Sequence, residues 1–161
     1  MAADNDGCSG VRSSQPPCES QVSFDGLGGF VADDTIATLR GPWQKSTIAA
    51  GVHRGYLHDG ALGDGSCVGV FPAYLEPGSY AIQIAYTSHA NRATNIPIEV
   101  RIGREVMRFR LIQCQAPSGG AAFHTIGILQ LGGETQVVLG NEGADGHVII
   151  DAVRFVEQSP R

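Results

Sequence analysis

Apolar and polar residues alternate with a period of two over much of the chain. "SYAIQIAY" puts Tyr80, Ile82, Ile84 and Tyr86 on one face. "IPIEVRI" does the same with Ile96, Ile98, Val100 and Ile102, and "VMRFRLI" sets Met107, Phe109 and Leu111 against Arg108 and Arg110. This spacing predicts strands with one buried face. "FHTIGILQL", "TQVVLGN" and "HVIIDAVRF" continue the series, with "GGE" and "NEGADG" read as the turns between them, and "TIATL" and "SCVGVF" supply earlier strands. Gly103 marks a hairpin between "EVRI" and "REVMRF". No segment keeps a helical period beyond two turns, and no tandem repeat is visible. About eight to ten short strands predict an all-β fold, a two-sheet antiparallel β-sandwich of jelly-roll type.

Composition supports this reading. The 161 residues include 22 glycines and 8 prolines, with 7% aromatic residues, as expected where turns punctuate strands. Residues 1–20 are polar and aperiodic and read as an N-terminal extension. Residues 21–157 read as a single domain and residues 158–161 as a tail. The formal charge is -5 and the 11 basic residues are scattered, which argues against a nucleic-acid partner. No apolar run approaches the roughly 20 residues of a membrane-spanning helix. No apolar segment follows Met1-Ala-Ala, so no signal peptide is visible, although a leader exchanged for a start codon would look the same.

The chain contains Cys8, Cys18, Cys67 and Cys114. None has the C-x-x-C spacing of a zinc or thioredoxin-type site. Cys8 and Cys18 bracket "CSGVRSSQPPC" and suit a disulfide that ties down the extension. Cys67 and Cys114 lie in or beside apolar strands, and the reading leaves open a second bridge or two buried thiols. The pattern favours an oxidising compartment, hence a secreted, extracellular or periplasmic location.

Four short constellations carry candidate chemistry. "GPWQKS" holds Trp43, the only tryptophan, which reads first as core packing with its N–H on a carbonyl and second as a platform for a sugar face. "GYLHDG" holds Tyr56, His58 and Asp59. Adjacent residues on an extended chain point to opposite sides, so Asp59 does not simply orient His58, and turn capping by Asp59 competes with any catalytic pairing. "TSHANRATNIPIEVRI" sets Arg92 and His89 in a polar loop with Asn95, where a turn alone needs neither a guanidinium nor an imidazole. "GHVIIDAVRFV" places Asp151 within an apolar run, where burial demands a cation or several donors. Arg92 is the first candidate partner, with Arg154 and His58 as others. An Arg92–Asp151 ion pair fixing the loop is favoured over a catalytic pairing.

Enzyme signatures are thin: no G-x-S-x-G, Walker loop, H-E-x-x-H or G-x-G-x-x-G occurs. "DNDG" at Asp4 lacks the other ligands of a calcium loop. Asp33, Asp34 and Asp64 form no recognisable metal set. No cofactor, metal or catalytic residue is assigned.

Taken together, "W-x-x-S", "GYLHDG", "ANRATNIPIEV", "GILQL" and "GHVIIDAVRFV" resemble the golvesin or xanthan-lyase carbohydrate-binding-like domain in order and spacing, from about Phe30 to Val156. "NRATNIP" and "DAVRF" are the specific parts. That family is found as β-sandwich accessory modules on secreted bacterial lyases, hydrolases and peptidases, and it also trails some FAD-dependent oxidoreductases. The resemblance implies a non-catalytic module on a parent enzyme, with Trp43, Tyr56, His58, Asp59, Arg92, Asn95 and Asp151 at family-pattern positions. Cys67 stands where the family commonly has an aromatic residue, and the extension with Cys8 and Cys18 is extra. On this reading Arg92, His58, His89 and Asn95 supply directional hydrogen bonds to a carbohydrate, and Trp43 or Tyr56 supplies an apolar face. Arg92 suits the carboxylate of an acidic sugar. Two alternatives stand beside it. One is a lyase or hydrolase using His58 or Tyr56 as base with Arg92 as charge neutraliser. The other is a structural domain that packs on a parent enzyme or self-associates.

Overall fold

The computed structural model describes residues 29–46, 55–118 and 122–159. Ten strands occur among them: β1 (Phe30–Asp33), β2 (Thr38–Arg40), β3 (Gln44–Lys45), β4 (Leu57–His58), β5 (Val68–Ala85), β6 (Ile96–Ile102), β7 (Glu105–Leu111), β8 (Phe123–Gly140), β9 (Ile149–Ile150) and β10 (Ala152–Glu157). All pair antiparallel. The fold is the all-β sandwich that the period-two pattern predicts.

Two strands of 18 residues each, β5 and β8, form the spine. They pair from Val68↔Gly140 to Ala85↔Phe123, with register shifts after Leu75 and after Ile82. The first shift falls at Glu76-Pro77-Gly78, opposite Gly132-Gly133. Proline has no N–H to give the ladder, and a bulge bends a strand pair. Gly132 lets the strands stay close there, since a Cβ on it would come within 3.2 Å of Pro77. The expected turn at "GGE" is therefore no chain reversal. It lies inside β8, and "SCVGVF" and "SYAIQIAY" likewise join into β5.

Beyond this break the two halves of the spine take different neighbours. The first half of β5 pairs with β2, and the second half of β8 with β6, which continues to β7. The second half of β5 pairs with β10, which continues to β1. Phe71, Ile82, Ile84, Tyr86, Ile98, Val137, Leu139 and Phe155 meet in one core. Each such side chain contributes about 1.5–3 kcal/mol on burial. Gly103, at φ 60°, turns the β6–β7 hairpin with Arg104, as read from the sequence.

Two further expectations change. "TIATL" is a strand only from Thr38. Before it, Asp33 Oδ1 accepts the Thr35 N–H and hydroxyl, and the Asp33 carbonyl accepts the N–H groups of Ile36 and Ala37, which makes a turn. "HVIIDAVRF" is two strands in different sheets. β9 belongs to a small sheet of order β9–β4–β3, whereas β10 belongs to the large one. Asp151 marks the step between them and is buried. The Cys8–Cys18 pairing and the 1–20 extension lie outside the described residues. Cys67 and Cys114 are unpaired thiols: Cys67 is tied by its backbone to Asn141, and Cys114 follows Gln113 in the segment that receives the Tyr86 hydroxyl.

Candidate functional site at the loop end

Three loops meet at one end of the sandwich: residues 55–60, 87–95 and 141–148. The last two are bound backbone to backbone. Ala93 N–H donates to the His147 carbonyl at 2.9 Å, and His147 N–H donates to the Asn91 carbonyl at 3.0 Å. Gly146 permits this approach, because a Cβ there would lie 2.8 Å from the Asn91 oxygen. Asn95 adds a clamp. Its amide donates to the Gly143 carbonyl at 2.9 Å, and its oxygen accepts the Asp145 N–H at 3.0 Å. Asp145 returns the contact by accepting from the Thr94 N–H and hydroxyl.

The loop arginine is held on all sides. Arg92 Nε donates to the Thr87 carbonyl at 3.0 Å, Nη1 to Asn91 Oδ1 at 2.7 Å, and Nη2 to the Tyr56 hydroxyl and Thr87 Oγ1, both at 3.2 Å. Its Cζ lies 5.6 Å from the Tyr56 ring centroid. It makes no ion pair with Asp151. Asp151 sits where the chain crosses between sheets, while Arg92 is satisfied by neutral oxygens of its own loop and of Tyr56, so the expected pair does not form. A guanidinium has five N–H donors, and these four contacts leave one Nη1–H.

His58 stands on β4 beside β9, opposite Ile149. Its Nδ1 accepts the Gly60 N–H at 3.2 Å, so the ring is neutral with its proton on Nε2. The His147 ring meets it edge-on, with centroids 5.7 Å apart. Burial holds the His58 pKa below its ordinary value, and the charges of His147 and Arg92 reinforce this against Asp59. Burial of Tyr56 opposes its ionisation, but hydrogen bonds from Ser46, Thr87 and Arg92 and the Arg92 charge together bring its pKa below the usual phenol value. Arg92, His58 and His147 are each half-buried at this end of the sandwich.

The remaining sequence candidates fall elsewhere. Asp59 is fully buried behind His58. Its Oδ1 accepts the Val148 N–H at 2.8 Å and the Ala61 N–H at 2.9 Å, and its Oδ2 accepts the Asn141 amide at 2.9 Å. Trp43 packs on the core and donates to the Val68 carbonyl at 3.3 Å. Asn95 is spent on the clamp. His89 is exposed at the loop edge, where its Nδ1 accepts the Asn91 N–H. The sequence reading missed His147, Gln113 and Asn141. His147 had a signal, a lone imidazole at the head of an apolar strand. Gln113 and Asn141 had none. Among the described residues no three of His, Cys, Asp and Glu gather as a metal set.

No family model and no curated protein matches the chain. Solved structures do. The Paenibacillus xanthan lyase matches at TM-score 0.70 and 24% identity, over 80% of this chain and 13% of the lyase. A CBM36 domain of a multidomain xylanase from the hindgut metagenome of Trinervitermes trinervoides matches at 0.56 and 15%, over 83% of this chain and 100% of that domain. CBM35 from Cellvibrio japonicus Abf62 matches at 0.56 and 15%, over 83% and 96%. The fold is that of carbohydrate-binding modules. The chain spans about an eighth of the length of the xanthan lyase that it resembles.

Proposed function

We propose that the chain is a non-catalytic carbohydrate-binding module of the golvesin and xanthan-lyase type, carried by a larger secreted polysaccharide-acting enzyme. The observation that carries the reading is the anchored Arg92. Four contacts fix its guanidinium beside the His58–His147 pair and leave one N–H for a ligand. A fixed cation with neighbouring imidazole donors suits the carboxylate and hydroxyls of an acidic sugar. Of the sequence candidates, Arg92, His58 and the exposed His89 remain ligand-facing, joined by His147, while Trp43, Asp59 and Asn95 act as scaffold. The two modules that this chain matches over nearly their whole length support the class, and the small share of the lyase that it spans supports a parent enzyme. An extracellular or periplasmic setting follows from that parentage.

A lyase reading draws on one observation, the acidity of Tyr56 next to Arg92. It is disfavoured because Tyr56 is only 5% exposed and its hydroxyl already faces Arg92. A general base must reach the proton that it removes. Calorimetry with glucuronate-containing oligosaccharides and their neutral counterparts tests the proposal. The expected result is millimolar or tighter binding of the acidic ligand, weakened at least tenfold by His147→Ala. Lack of binding by a folded sample would count against the module, and release of unsaturated uronates would establish the lyase instead.

A further inference from the structure

β7 is the last strand of the large sheet. It pairs with β6 along its whole length, from Leu111↔Ile96 to Glu105↔Ile102, with no register shift. Among the described residues no other strand pairs with it, and no loop backbone bonds to it. A strand paired on one side turns the N–H and C=O of every second residue away from its neighbour. Proline, a bulge or an inward-pointing charge can blunt such a row. β7 has none of these: its inward positions are Met107, Phe109 and Leu111.

A second bare edge lies beside it. From Phe123 to Leu131, β8 pairs with β5 alone, because β6 covers it only from Thr135 to Leu139. The two edges meet at Phe109, where a Cβ on Gly127 would lie 3.4 Å from the ring. Met107, Phe109, Ile126 and Leu129 are half-buried along this gap, and Ile128 is 59% exposed. The charge beside the gap is mainly positive. The Arg108 side chain is 73% exposed and lies 3.4 Å from Glu99, which Arg101 also holds. Arg110 donates Nη1 to the Asn95 carbonyl and has no carboxylate partner among the described residues. Arg104 stands in the adjoining turn. Glu105 is the one acid of β7 and sits at its end, and β8 carries no acid from Phe123 to Gly133.

We propose that β7 accepts an added strand from a partner protein, one that alternates acidic and apolar residues. The backbone row supplies affinity and the alternate side chains supply specificity. Two carboxylates of the added strand fall beside Arg108 and Arg110 on the outer face. The apolar residue between them falls beside Phe109 and covers the gap to β8. A second copy of this chain is a poor occupant. Face-matched antiparallel pairing centred on Met107 sets Arg110 against Arg104, centred on Arg108 sets that residue against itself, and centred on Phe109 sets Arg108 against Arg110. Like charges directly opposite destabilise a strand pair. An acidic polysaccharide matches the arginines but offers no partner to the backbone row. The inference uses no residue of the loop-end reading, so either can fail alone.

The test uses the full chain, isotope-labelled, titrated with a capped peptide of alternating glutamate and valine. The expected result is saturable amide shifts along residues 105–111 and slower hydrogen exchange at alternate β7 amides. Methylating one set of alternate peptide nitrogens should abolish binding, and methylating the other set should spare it, which leaves the protein itself untouched. Arg108→Gln combined with Arg110→Gln should weaken binding roughly tenfold, since two exposed ion pairs are lost. Both side chains are exposed, and a melting curve verifies that the double variant folds. Four results would overturn the proposal: no shifts on β7, binding that survives methylation of either set, the same shifts and exchange protection with polygalacturonate, or a peptide-free dimer with protected β7 amides.

Discussion

Arg92 donates to the Tyr56 hydroxyl at 3.2 Å while its charge lies 5.6 Å from the centre of the same ring. The contact favours the phenolate. Burial opposes ionisation, yet the hydrogen bonds from Ser46, Thr87 and Arg92 and the Arg92 charge outweigh it. In Tyr80 and Tyr86 burial pushes the pKa the other way. Tyr56 should therefore titrate before either, below the ordinary 10.0. Because its folded pKa is the lower one, the linked stability is gained as pH rises through that pKa, and it is fully present above 10.0. Ring-proton shifts during an alkaline titration check the order. Arg92→Ala should move Tyr56 upward, and an unchanged Tyr56 would show that the pair is not coupled.

The histidine pair sets an acid-side response. The His58 pKa lies below 6.5, through burial first and then the charges of His147 and Arg92. The unfolded chain therefore takes up its proton at higher pH than the native one. Native stability should fall as pH drops below 6.5 and level off once the folded pKa is passed. His58→Gln keeps a polar side chain and removes the titration. Urea midpoints from pH 7.5 to 5 should slope less in that variant than in the parent. Equal slopes would assign the acid response to other groups.

Much of the sandwich was legible because period-two alternation is written residue by residue, as in Tyr80, Ile82 and Ile84. The long strands were not. Gly132 and Gly133 carry the composition of a turn, and only the facing Pro77 shows that they accommodate a bulge instead. Asp151 was rightly singled out as a buried acid, but the sheet switch beside it is a tertiary fact. Arg92 was rightly placed at the centre of the loop and wrongly paired, since sequence cannot tell a carboxylate partner from a carbonyl, a hydroxyl and a ring. Asn95 and Asp59 looked like ligand groups because polar residues that clamp loops are the same types as those that bind sugars.

Asp59 and Asn141 should behave as one unit. Asp59 accepts three hydrogen bonds in full burial, one of them from Asn141, whose own oxygen accepts the Cys67 N–H at 3.1 Å. Asp59→Asn turns an acceptor into a donor facing donors and should cost about 3 kcal/mol. Asn141→Ala should cost about 2 kcal/mol by stranding the same carboxylate. The double variant should lose less than the sum, with a coupling of about 1 kcal/mol or more, since the shared bond is lost once. Denaturant unfolding of the four proteins measures this, and strict additivity would break the link.

Gln113 shows how the loop end is held from beneath. The side chain is fully buried, its amide donates to the Ile149 carbonyl and its oxygen accepts the Ile149 N–H, both at 2.8 Å. Its own N–H donates to the Ala93 carbonyl at 2.9 Å, one residue from Arg92. It therefore ties the arginine loop to the short strand opposite His58, as a second backbone would. Gln113→Leu preserves bulk but strands both Ile149 groups, at about 1–3 kcal/mol each, so a loss of about 3 kcal/mol is expected. Gln113→Glu keeps the acceptor and removes the donor, and should lose stability at neutral pH and recover part of it in acid as the carboxyl regains a proton. Unfolding curves at pH 7 and pH 5 separate the two substitutions. A Gln113→Glu variant indifferent to pH would mean that the Ile149 carbonyl does not depend on this donor.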